Sequence, residues 1–110
     1  MIHVRLERTG RESLRLTLTG HAGAAPAGED TVCAAASMLA YTVAQEVLEM
    51  QSAGKLRGCA DIKLEKGEAQ ITCRPKRNAR REALHLYRVA QTGYRLLAAN
   101  FPGHVQVTTF

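Results

Sequence analysis

Two side chains in this chain of 110 residues, His21 and Cys33, have the types and spacing for covalent chemistry. Cys33 falls in the first turn of a long helical pattern that Asp30 opens. Backbone N–H groups converge at a helix start, and the dipole there favours negative charge. Thiols so placed ionise more readily, and the thiolate is the nucleophile. His21 lies twelve residues upstream, at the far end of a loop, and can return to hydrogen-bond reach of the thiol. A nucleophile beside a base is the arrangement that activates a Cys. Each residue alone also has an ordinary use, the Cys as packing in an Ala-rich turn and the His as a structural group after a strand.

Four more residues could support such a pair. The carboxylate of Asp30 can cap the helix or accept the second ring proton of His21, and its several acceptor sites let both roles coexist. Ser37 lies one turn after Cys33 on the same face, where its hydroxyl could bond near the thiolate or back-bond to the Cys33 carbonyl. Gly20 suits a sharp turn or a close backbone approach. Gly28 could add an N–H to the first-turn amides that would stabilise an oxyanion. Ala34, Ala35 and Ala36 are small enough to let another backbone approach Cys33. The remaining Cys and His residues show no close ligand pairs, so no metal site is expected.

The rest of the chain must hold these residues. Ile2, Val4 and Leu6 alternate with polar residues, Thr9 to Glu12 supply a turn, and Leu14, Leu16 and Leu18 alternate again. This reads as a hairpin that delivers the chain to Gly20 and His21. Ala22 to Glu29 has two Gly, one Pro and no large apolar side chain, and reads as a mobile loop that opens for a ligand and closes over it. A helix then runs to Ser52 with Gly54 as its stop. Val32, Ala36, Leu39, Val43, Val47 and Met50 form its buried stripe.

Ala60 to Leu64 and Ala69 to Cys73 alternate around a Lys66-Gly67 turn, which puts Cys73 in the core and Cys59 on the opposite parity. Pro75 ends that strand and Asn78 can cap a second helix, Ala79 to Ala99. Its stripe is Ala83, Tyr87, Ala90, Tyr94 and Leu97, widened by Leu84, Leu86 and Leu96, and Val105, Val107 and Thr109 make a last strand. The expected fold is α+β, a two-layer sandwich in the order β-β-α-β-β-α-β. A mainly antiparallel five-stranded sheet carries both helices on one face, as a single domain over residues 1–110. The second sheet face is left open or paired with another subunit.

Composition narrows the function classes. No apolar run approaches the ~18 residues of a membrane span, and the start of the chain lacks a signal-peptide core. Three cysteines without a C-x-x-C pair suit free thiols in a reducing compartment, so a cytoplasmic protein is expected. The net charge of +5 is concentrated: Arg74, Lys76, Arg77, Arg80 and Arg81 crowd one stretch, with Arg88 and Arg95 further along the helix. Cations at a helix start oppose its dipole, which points to RNA or an acidic partner, although aromatic interleaving for base stacking is absent.

The run Gly20-His21-Ala22, a short loop, then Gly28, Asp30, Val32-Cys33-Ala34 and Ser37 resembles the signature of the ribosomal-processing cysteine proteases. The match departs at Thr31, where that family usually has Ile, another β-branched residue. The resemblance implies a cysteine endopeptidase with a His21–Cys33 dyad. Such an enzyme removes a short N-terminal extension from ribosomal protein number twenty-seven of the large subunit. It also implies a homodimer, and no cofactor. The competing expectation is a non-catalytic ribosome-associated or RNA-binding module that uses the basic cluster and keeps the Gly-His…Cys stretch for structure.

Overall fold

The structure, a computed structural model, describes residues 1–20 and 29–109, except for the side chains of Glu29 and Asp30. Alternation builds the first hairpin. β1 (Ile2–Thr9) and β2 (Ser13–Gly20) pair antiparallel from Ile2↔Gly20 to Thr9↔Ser13. Ile2, Val4, Leu6, Leu14, Leu16 and Leu18 all point into one core. α1 (Glu29–Ser52) follows, then β3 (Asp61–Glu65) and β4 (Glu68–Cys73), joined by the Lys66-Gly67 turn. After a short 3-10 turn, Arg77–Ala79, come α2 (Arg80–Asn100) and β5 (Val105–Thr108).

The sheet order is β3-β4-β2-β1-β5, antiparallel except for the parallel β1–β5 pair. Both helices lie on the apolar face, so the fold is the expected α+β sandwich. The α2 stripe is buried as its spacing demands: Ala83, Tyr87, Ala90, Tyr94 and Leu97. Its two tyrosines bring polar tips into the core, and each finds a carbonyl. Tyr87 Oη donates to Ile71 O (3.0 Å) and Tyr94 Oη to Ala36 O (2.9 Å). Burial pushes both phenols above their ordinary pKa, Tyr87 more so because Cys73 lies beside it.

The end of α1 follows its sequence signal. Gly54 takes φ +74°, and Lys55 N–H and Gly54 N–H donate to Met50 O (2.9 Å) and Gln51 O (3.0 Å), a Schellman stop. Cys73 is buried and Cys59 exposed, as their parity requires.

Several expectations need correcting. Asn78 does not cap α2. It sits inside the 3-10 turn, and neither Lys76 nor Ala79, at the two cap positions, makes a side-chain cap bond. Leu96 is 59% exposed rather than widening the buried face, unlike Leu84 and Leu86, which pack against the core. Leu56, in the connection between α1 and β3 that the alternation patterns leave out, is buried and bridges to Pro75. α1 is long and apolar enough to pass for a membrane span by composition. Its buried row of Val32, Ala36, Val43, Val47 and Met50 instead packs into the core.

The open sheet face is polar. Arg15 bridges to Glu7 (3.7 Å) and Thr72 (3.2 Å), and Lys63 to Glu68 (3.4 Å). Much of the exposed apolar surface, Met38, Tyr41, Leu48, Val89 and Leu96, lies on the helices instead.

Candidate active site

Alternation in β1 and β2 carries the chain to one end of the sheet, where β2 stops at Gly20. This residue has φ +95°, a conformation that L side chains rarely adopt, and a Cβ there would collide with the Met1 carbonyl oxygen. Gly20 N–H donates to Gly67 O (3.0 Å), tying the end of β2 to the β3–β4 turn. The sequence argument for a Gly ahead of the His is thus met twice over, by backbone conformation and by close approach.

A cleft of about 360 Å³ opens at this end. Cys33, Ser37 and Tyr41, at successive helical turns, form the α1 wall, and the β3–β4 hairpin from Leu64 to Ala69 forms the other. Ile2, Leu18, Ala36 and Ala40 make an apolar floor, and Gly20 lies at the rim where the chain leaves β2. Cys33 is half-buried. The Ser37 hydroxyl has no hydrogen-bond partner among the described residues. Thr42 and Thr92, by contrast, bond back to the carbonyls four residues earlier. Of the two uses foreseen for Ser37, the back-bond is therefore not made.

The small residues after Cys33 serve the other side of α1. Ala36 is buried, and its carbonyl accepts from Tyr94, which anchors the helix one turn beyond the thiol. Gly93 of α2 faces Leu39, where a Cβ would come within 2.8 Å of the leucine side chain. Close packing of α2 against α1 thus fixes the segment that carries Cys33 and Ser37.

The structure brings together Gly20, Cys33 and Ser37 of the expected set. His21 and Gly28 lie outside the described residues, as does most of the expected gating loop, Ala22 to Glu29. Glu29 belongs to α1 rather than to that loop, so Asp30 stands inside the first turn and not at the N-cap. Two successive acidic residues are both favourable in a helix's first turn, which lets α1 begin two residues early, at Glu29 rather than Thr31. Cys33 is consequently the fifth helical residue and opens the second turn, two positions further in than Asp30 as N-cap implied. The unbonded amides of the helix start therefore belong to residues ahead of it. Sequence reasoning missed Tyr41 and Leu64, which flank the cleft while 50% and 41% exposed. Leu64 was read by alternation as a core residue. Its strand is at the sheet edge, where the core face is not covered by a helix.

A family model described as cysteine protease Prp matches residues 1–106. The chain belongs to the Prp family. It is a cysteine protease. Among solved structures, the ribosomal processing protease Prp from S. aureus, crystallised with a substrate peptide, is similar over 100% of both chains, with TM-score 0.71 and 17% identity. The same protein with a covalently linked product peptide gives TM-score 0.70, again at 17% identity and full coverage of both chains. SMU.848 from Streptococcus mutans gives 0.68 at 24% identity, covering 100% of this chain and 94% of that one. These likenesses establish a shared Prp fold. No curated protein matches the chain significantly.

Proposed function

We propose that this protein is an endopeptidase that uses Cys33 as nucleophile and His21 as base to remove a short N-terminal extension from a large-subunit ribosomal protein, number twenty-seven. The observation that carries the proposal is the placement of Cys33. In a cysteine protease, this half-buried thiol lines a cleft between a helix and a hairpin, beside a glycine that immediately precedes a histidine. The ribosomal substrate is carried over from the S. aureus protein, which is a ribosomal processing protease solved with a substrate peptide.

In the proposed reaction, His21 takes the Cys33 proton, or holds it in an imidazolium–thiolate pair, and Sγ attacks the scissile carbonyl carbon. N–H groups near the helix start stabilise the oxyanion. His21 then gives the proton to the leaving amine, and water hydrolyses the thioester to regenerate the thiol. Asp30 orients His21 or stabilises the helix start, and the unpartnered Ser37 hydroxyl binds the peptide beside the thiolate.

Homodimerisation and a cytoplasmic location complete the reading. The exposed apolar side chains of the two helices offer area that a second subunit would cover, and three cysteines without a C-x-x-C pair suit a reducing compartment. The basic cluster Arg74, Lys76, Arg77, Arg80 and Arg81 is given a role alongside cleavage rather than instead of it.

The test is incubation with the organism's own ribosomal protein number twenty-seven, followed by mass spectrometry of its N-terminus. Loss of a short leader by wild-type protein but not by Cys33→Ala supports the proposal. A substrate gene without any leader, or equal cleavage by the variant, overturns it.

A further inference from the structure

The end of the sheet opposite the cleft collects the charge of the whole molecule. Three separate segments meet there: the β1–β2 turn, the connection after α1, and the run from β4 into α2. Leu56 bridges to Pro75, Arg57 N–H donates to Arg74 O (2.7 Å) and Lys76 N–H to Lys55 O (2.8 Å). These bonds and the β1–β2 turn bring Arg8, Arg11, Lys55, Arg57, Arg74, Lys76, Arg77, Arg80 and Arg81 to one pole, with the acids Glu12 and Glu82 among them. Those nine cations and two carboxylates sum to +7, more than the +5 of the whole chain. The pole is larger than the sequence cluster, because Arg8, Arg11 and Arg57 join it from other segments.

One carboxylate organises it. Glu12, with its side chain 18% exposed, takes an ion pair and hydrogen bond from Arg80, and its Oε2 faces Arg57 Nε and Arg74 Nε, each at 3.6 Å. Partial loss of water raises the Glu12 pKa, but Arg57, Arg80 and Arg74 together outweigh this and hold it below the usual value. Glu12 therefore answers part of the dipole conflict at the α2 start. It leaves Arg11, Lys76, Arg77 and Arg81 without an ion pair among the described residues, and all four are exposed. An open basin is lined by Arg57, Lys76, Arg77 and Asn78.

The chemistry of the pole selects its partner. Seven of its nine cations are Arg, whose planar fork matches phosphate oxygens. No exposed large apolar side chain lies in these segments, so a protein partner would lack the buried anchor on which protein interfaces depend. No aromatic residue stands there for single-strand bases to stack on. Phosphate contact with a base-paired backbone is what remains.

We propose that this basic pole is a docking surface for base-paired RNA, held through its phosphates without reading base sequence. RNA rather than DNA rests on the ribosomal reading above; the phosphate contact does not. The six residue-to-residue steps from Leu14 to Gly20 in β2 put the pole roughly 20 Å from the cleft rim, so a docked particle leaves the cleft open to a peptide.

Fluorescence anisotropy with a base-paired RNA hairpin, in a KCl series, tests this. Cys33→Ala protein should bind like wild type, with affinity falling steeply as salt rises. The triple variant Lys76→Ala, Arg77→Ala, Arg81→Ala, checked for unchanged melting, should bind at least about tenfold more weakly and show a log–log salt slope shallower by about three. It should cleave a short free peptide at the wild-type rate. Equal binding by wild type and the triple variant, or an unchanged slope, overturns the proposal. Tighter binding to a DNA duplex of equal length overturns the assignment to RNA, and tighter binding to polyglutamate points instead to an acidic protein. Peptide cleavage is read in a separate assay, so its failure tests the protease reading alone.

Discussion

The two ends of the sheet are built on opposite principles. At the cleft end, the floor is apolar and the backbone makes the decisive contacts: Gly20 against Met1 and Gly67, and Ala36 against Tyr94. At the basic pole the decisive contacts are between charges, and Glu12 gathers arginines from two other segments. A catalytic end needs one geometry held closely, which backbone contacts supply. A polyanion-binding end needs charge density and tolerates side-chain freedom. One run of alternating leucines in β2 separates the two and buries its side chains equally along the way: Leu14, Leu16 and Leu18 are all in the core.

If this division holds, variants at one end should leave the other end's activity intact. The largest effect is expected for Cys33→Ala and His21→Ala. Each should lower peptide cleavage by several orders of magnitude, because members of a nucleophile–base unit fail together. RNA binding and the melting temperature should stay at wild-type values. Steady-state kinetics on both purified, folded variants provide the check.

Next comes Gly20→Ala. The new Cβ meets a backbone carbonyl, not a flexible side chain, at a φ that Ala disfavours. A loss of about 1–3 kcal/mol of stability is expected, measured by urea denaturation. Turnover should fall as well, because the residue directly precedes His21, and RNA affinity should not change.

Tyr94→Phe removes one buried hydrogen bond, to the Ala36 carbonyl. About 1 kcal/mol should be lost, with a modest fall in turnover because α1 is less well fixed one turn beyond Cys33. Met38→Ala, on the exposed side of the same helix, should cost less in the same denaturation series.

The smallest effect is a pH dependence at the pole. The folded pKa of Glu12 is lowered, so its contribution to stability is present above its unfolded pKa of about 4.3 and is lost as pH falls through the folded value. Wild type should therefore lose more stability than Glu12→Gln on acidification below about pH 4.3. Parallel acid dependences in the two proteins would remove Glu12 from the account.

Where one physical rule governed a segment, the sequence was readable. Period-two alternation located the strands, and four-three spacing located the α2 stripe down to Tyr87 and Tyr94. Gly54 marked the end of α1 because a left-handed residue there has few rivals. The cleft was legible as Gly20, Cys33 and Ser37, whose residue types carry chemistry. Tyr41 and Leu64 were not, since an exposed apolar residue looks like any other until a facing wall is known. The start of α1 lies two residues ahead of that expected from an Asp30 cap because Glu29 and Asp30 both suit a first turn. Leu56 was hidden among basic neighbours, and Glu12 looked like a turn residue. Both depend on partners 19 or more residues away, which no local pattern reveals.

The central claim is that Cys33 forms the bond to the substrate. Acid-quenching the protein during turnover of a leader peptide, then mapping it by mass spectrometry, tests this directly. A thioester between the leader fragment and Cys33 is expected, with Cys59 and Cys73 unmodified and no adduct in Cys33→Ala. An adduct on another residue, or undiminished turnover by Cys33→Ala, would contradict it.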